Sequence, residues 1–190
     1  MPAFDKLIEA IQLLSYGAVL AIVAPLFPFL YVVMRWRAPG NGHPGIGTLG
    51  SVHYFLVMGL LILLAGMANL TYGYFSTTPI EPELTRMSWG MTAGSLAFLA
   101  LNFGLLRMTR DLSDLSDVRR MFLGFFQVMT GLAAFTVLLL LFATWFQEAE
   151  GDKAIVERTD ALKLYGSWVA YFLSAYIGST VYLTRSCPRS

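Results

Sequence analysis

His43 and His53 are the two side chains of this sequence best suited by type to hold a cofactor. His43 stands among glycines, in a stretch with no fixed geometry. His53 lies at the end of an apolar run, next to Tyr54. Bis-histidine haem ligation needs two imidazoles at matching depth in a bundle, a condition the glycine-rich setting of His43 does not meet; Met58 is a further axial candidate. His53 and Tyr54 are therefore the candidate cofactor-binding pair, for a haem or for a quinone, and the cofactor itself stays unknown. The competing reading is that these are the amphipathic residues a membrane interface selects, as Trp36, Trp89, Trp145 and Trp168 near the ends of apolar runs illustrate.

Gly40, Gly42 and Gly45 spell G-x-G-x-x-G. A dinucleotide fingerprint needs a strand before it and a helix after it in a βαβ unit. Here an apolar run of membrane length precedes it, so that reading is rejected. Glycine-rich backbone beside Arg35 and Arg37 can instead hold an anionic lipid headgroup. Cys187 is the only cysteine, which excludes an internal disulfide and a multi-cysteine metal site. No cluster of residues forms a catalytic or metal-ligating set, and none is assigned.

The intramembrane polar residues are Asn69, Asn102 and Gln127. Ionisable groups within spans usually mark proton or ion pathways, because each costs about 2.5–3.5 kcal/mol at a helix centre. Glu9 and Lys163 sit only near span ends, which argues against a proton pump, and no mid-span lysine is available for retinal. Asn102 and Gln127 lie at similar depth in helices joined by a short loop. Their expected role is interhelical hydrogen bonding, worth about 0.6 kcal/mol on average; the alternative is the wall of a ligand cavity.

The elements that carry these residues are five apolar runs, at about 7–35, 51–75, 87–108, 118–147 and 161–184. Each reaches the roughly 20 residues needed to cross a hydrocarbon core. They lack the alternation and the shorter length of barrel strands, so helices are expected. The predicted fold is all-α: one polytopic membrane domain over 1–190, a bundle of five transmembrane helices. One set of connections holds eight arginines against three aspartates, and the other five cations against nine acids. The positive-inside rule then puts the N-terminus outside and the C-terminus in the cytoplasm. Asp5 and Glu9, a long apolar run and the lack of a cleavage site argue against a cleaved signal peptide. The expected location is the bacterial cytoplasmic (inner) membrane.

Small residues let membrane helices approach closely. Gly90 and Gly94, with Ala93 and Ala97, and the stripe Ala170, Ser174 and Gly178 are the expected packing faces, within the chain or between subunits. Pro25 and Pro28 predict a kink in the first run. A weak register match between 54–75 and 125–146 suggests a duplicated helical hairpin. Residues 148–160 read as an acidic, solvated connector. Asp111, Ser113, Asp114 and Ser116 suit a cap before the fourth run.

With no chemistry complete, the expected function is that of a non-catalytic membrane subunit. It would pack into a larger membrane assembly, an electron-transfer complex among the candidates, with lipid or cofactor contacts. Its partners would be membrane lipid and other membrane subunits or a second copy, and no nucleic acid. The alternative is a small oligomeric channel or transporter with a polar path near Asn102 and Gln127. A redox enzyme working at His53 is the third reading.

Overall fold

A computed structural model describes residues 30, 31, 33, 34, 46–108, 116–148 and 151–186. Four long helices account for nearly all of them: α1 (Ile46–Phe75), α2 (Pro82–Met108), α3 (Ser116–Phe146) and α4 (Asp152–Ser186).

Each helix begins earlier than apolarity alone indicates, for local reasons. α1 extends back through Gly47 because Leu49 is buried in a cluster with Val57, Val118, Phe122 and Phe126, which offsets glycine's poor helix propensity. α2 starts on Pro82, whose missing N–H falls where the helix has no partner for it, with Glu83 facing the positive end of the dipole. The Glu81 carbonyl accepts from Leu84 N at 3.0 Å and from Thr85 N at 3.3 Å.

The stretch 148–160, expected as a connector, is corrected: its residues from Asp152 onward are the first turns of a helix. Gly151 takes φ 90°, the left-handed conformation glycine tolerates, and α4 begins at the next residue. Arg158 then reaches back to the C-terminal end of α3. Its Nε donates to the Thr144 carbonyl at 3.1 Å and its Nη2 donates to the Trp145 carbonyl, so a cation meets the negative end of that helix.

Among the described residues α1 is central and touches the other three helices, whereas α2 touches α1 alone. The most extensive contacts are α1 with α2 and α3 with α4, so each sequential pair forms an antiparallel hairpin. Close approach occurs at glycines that the sequence reading did not single out. A Cβ at Gly66 would lie 2.6 Å from Thr92 Oγ1 and 3.1 Å from Thr92 N; one at Gly59 would lie 3.0 Å from Leu99 Cδ2. On the second hairpin, Gly131 receives the Tyr176 ring, with 3.1 Å to a Cβ position.

The expected bundle of five transmembrane helices is overturned. The described residues hold four helices, and only three, at Gly47–Phe75, Pro82–Met108 and Val118–Phe146, are long and apolar enough to cross a membrane. α4 fails on composition, because Tyr165, Tyr171, Tyr176, Tyr182 and several serines and threonines dilute its apolar residues. The first run, with Pro25 and Pro28, lies almost wholly outside the described residues, as do Arg35, Arg37, His43, Asp111 and Cys187. The N-terminal placement inferred from five spans falls with that count. Tyr31 is described and packs against the Leu49–Phe122 cluster.

The surface completes the assignment of class. Leu101, Phe103, Phe135 and Phe142 are all more than half exposed on α2 and α3, an apolar surface that water would not tolerate. The chain is a helical, polytopic integral membrane protein.

Candidate functional site

Polar side chains are concentrated on the seams of α4. At one end, Trp168 Nε1 donates to Asn69 Oδ1 at 2.9 Å, while its ring stacks on Phe172 with centroids 5.5 Å apart. One turn further, Thr71 Oγ1 and Tyr171 Oη are 2.9 Å apart. Towards the other end, Gln127 Nε2 donates to Thr180 Oγ1 at 2.8 Å. Last, Arg119 donates to Tyr182 Oη with its guanidinium 5.6 Å from the ring centroid. Residues 160 to 182 of α4 thus span about 33 Å by helical rise. The helix runs the length of the bundle with its polar groups turned to α1 and α3. Trp168 is a half-buried link between helices; Trp89 and Trp145 are exposed, both 61 % accessible, near the same end.

Asn102 and Gln127 are not brought together, since α2 and α3 do not touch. Asn102, buried at 2 % exposure, donates from Nδ2 to the Phe98 carbonyl at 2.8 Å. His53 is half-buried and lies over Phe122, ring centroids 5.9 Å apart. Its Nδ1 is 2.8 Å from the Leu49 carbonyl. A carbonyl only accepts, so Nδ1 carries a proton, and in the neutral imidazole Nε2 keeps its lone pair. Tyr54 packs against the Leu49–Phe122 cluster and, edge-on, against Phe55 at 5.6 Å.

The residue that sequence reasoning missed is Asp160, 5 % exposed at the beginning of α4. Its carboxylate clasps the chain just past the end of α1. Oδ1 accepts from Thr77 N at 3.0 Å and Thr77 Oγ1 at 2.7 Å; Oδ2 accepts from Thr78 N at 3.1 Å and Thr78 Oγ1 at 2.5 Å. Lys163 Nζ stands 3.4 Å from Oδ1. Desolvation pushes the carboxyl upward, but the donors from Thr77, Thr78 and Lys163 outweigh it and hold the group well below the usual carboxylate range. The clamp locks the α1–α2 connection to α4. Beside it, between the end of α1, the connection and the first turns of α2, opens a cleft of about 720 Å³ that includes Asn69, Tyr74, Thr77, Thr78, Thr85 and Trp89.

The small-residue faces lie elsewhere than at the helix contacts. Gly90, Ala93, Gly94 and Ala97 are exposed along α2, and Ala170, Ser174 and Gly178 along α4. A Cβ at Gly90, Gly94 or Gly178 would meet nothing within 4 Å among the described residues. Among the described residues no three His, Cys, Asp or Glu side chains converge as a metal site. Comparison with protein-family profiles, curated proteins and solved structures finds no match.

Proposed function

We propose that the protein is a non-catalytic subunit of a larger membrane assembly in the bacterial cytoplasmic membrane, which it enters through α2 and α4. The observation that carries this reading is the placement of small residues. Gly59, Gly66 and Gly131 serve the contacts inside the chain, whereas Gly90 and Gly94, four apart, stand on a face that no described residue covers. In lipid, small side chains at a surface give little dispersion contact with acyl chains but allow a second helix to approach. Among the described residues α2 rests on α1 alone, which leaves that face uncovered by them.

Within the assembly, His53 and Tyr54 are the residues we assign to a cofactor contact, through the lone pair that His53 Nε2 retains. The alternative of an oligomeric channel is less well supported, because the amides it would use bond within the chain: Asn102 to its own helix and Gln127 to Thr180. The test is isolation of the complex from its native membrane in mild detergent with native mass spectrometry. Foreign subunits that co-isolate with the natural protein and are lost from Gly90→Leu/Gly94→Leu are expected. A chain that isolates alone, with unchanged mass in the variant, overturns the proposal.

A further inference from the structure

We propose that the cleft beside the Asp160 clamp binds an uncharged, hydroxyl-rich group, the sugar or glycerol portion of a neutral lipid or the corresponding free polyol. The inference follows from which hydrogen-bonding capacity the lining has left to offer.

Backbone donors are the first consideration. Ser76 N is spent on the Tyr72 carbonyl, Thr77 N and Thr78 N are spent on Asp160, and Pro79 has none. A phosphate or carboxylate needs converging N–H groups, and this connection turns every one of those four positions away from it. The hydroxyl protons of the connection are committed as well, that of Ser76 to the Thr78 carbonyl. A carboxylate only accepts, so Thr77 and Thr78 must donate to Asp160; Thr77 Oγ1 also accepts from Lys163, and each oxygen keeps a lone pair as an acceptor. The cleft therefore asks for a ligand that donates.

Charge is the second consideration. No formally charged side chain lines the cleft. The negative charge of Asp160 is met by the threonine donors and by Lys163, whose ammonium is 3.4 Å from Thr77 Oγ1. An ion entering the cleft would lose hydration without a partner of opposite sign in the lining itself. A neutral donor loses little.

Asn69 and Trp89 supply the rest. An indole N–H can only donate, so the atom of Asn69 bonded to Trp168 is its oxygen, and the amide N–H groups are what Asn69 has to offer. Trp89 and Tyr74, 61 % and 84 % exposed, stand at the rim. Such rings cover the C–H face of a sugar or the first methylenes of an acyl chain, and they place the mouth at the level of lipid headgroups. A volume of about 720 Å³ falls in the range of small-ligand sites.

The test uses the full chain in phosphatidylcholine nanodiscs free of sugar detergents. Methyl glucoside, choline and inorganic phosphate are titrated as soluble probes, and monoglucosyl diacylglycerol is added to the bilayer in a separate arm, with retained ligand read by native mass spectrometry. Retention of the glucoside or of the glycolipid, but not of choline or phosphate, is expected; binding of both identifies a free polyol as sufficient, and binding of the lipid alone identifies a headgroup. Asn69→Asp keeps the acceptor for Trp168 and removes the donors, and it should weaken retention roughly three- to tenfold. Trp89→Ala, at an exposed rim position, should weaken it about tenfold. Retention of choline or phosphate instead, no retained ligand, or unchanged binding in both variants overturns the proposal.

Discussion

The carboxylate of Asp160 illustrates what one residue contributes when its partners are remote in sequence. Thr77 and Thr78 are 83 and 82 positions away, a separation no spacing rule connects, and an aspartate beside Lys163 at the edge of an apolar run reads most simply as solvated. Asp160→Asn replaces one acceptor oxygen by a donor facing hydroxyls that already donate. It should cost about 2 kcal/mol, seen as a lower melting temperature in detergent. The pH dependence has a definite sign. The folded pKa is depressed, so the unfolded chain binds the proton more readily, and the clamp's contribution is fully present above the unfolded value of about 3.9. It is lost as pH falls through the lower folded value. The stability gap between the natural protein and Asp160→Asn should be flat from neutrality down to about pH 5 and should narrow in stronger acid; a gap that opens on acidification would contradict the clamp. Glycines give the contrasting case, for the sequence displays Gly66 and Gly90 alike. Gly66→Ala places a carbon 3.1 Å from the Thr92 backbone nitrogen and should destabilise by about 1–3 kcal/mol. Gly90→Ala meets no described residue and should stay within about 0.5 kcal/mol in the isolated chain. Thermal unfolding of the two variants side by side checks both values.

At the scale of elements, hydrophobic runs reveal that helices exist and roughly where. They are poor guides to helix ends and to helix role. Leu49, Pro82 and Gly151 start α1, α2 and α4 upstream of the apolar segments, through burial, a missing N–H and a left-handed turn respectively. α4 was legible as a helix but not in its character. Its tyrosines, serines and threonines are the residues that make it too polar for a lone span. Three of them, Tyr171, Thr180 and Tyr182, also bond Thr71, Gln127 and Arg119 on its neighbours, and Trp168 bonds Asn69. A periodicity argument sees one helix at a time and cannot pair them. Gln127→Leu should therefore loosen the α3–α4 hairpin by only about 0.6 kcal/mol, since Thr180 keeps its own bond to the Tyr176 carbonyl at 2.8 Å. A loss of several kcal/mol on thermal unfolding would mean that the amide holds more than this one partner.

For the molecule as a whole, membrane residence was legible from composition, and the number of spans was not. The two hairpins meet around α1, and among the described residues α2 has a single neighbour. That arrangement turns Gly90, Ala93, Gly94 and Ala97 outward, where the sequence alone left open whether they pack inside the chain or against another. Bulky Phe135 and Leu139 on α3 are also exposed, but their shape suits acyl chains. In the proposed assembly the small-residue face meets protein and the bulky face meets lipid. A photo-reactive residue placed at Ala97, and separately at Phe135, in native membranes distinguishes them most directly. Cross-links to polypeptide at Ala97 and to lipid alone at Phe135 are predicted; lipid adducts alone at Ala97 would contradict the account.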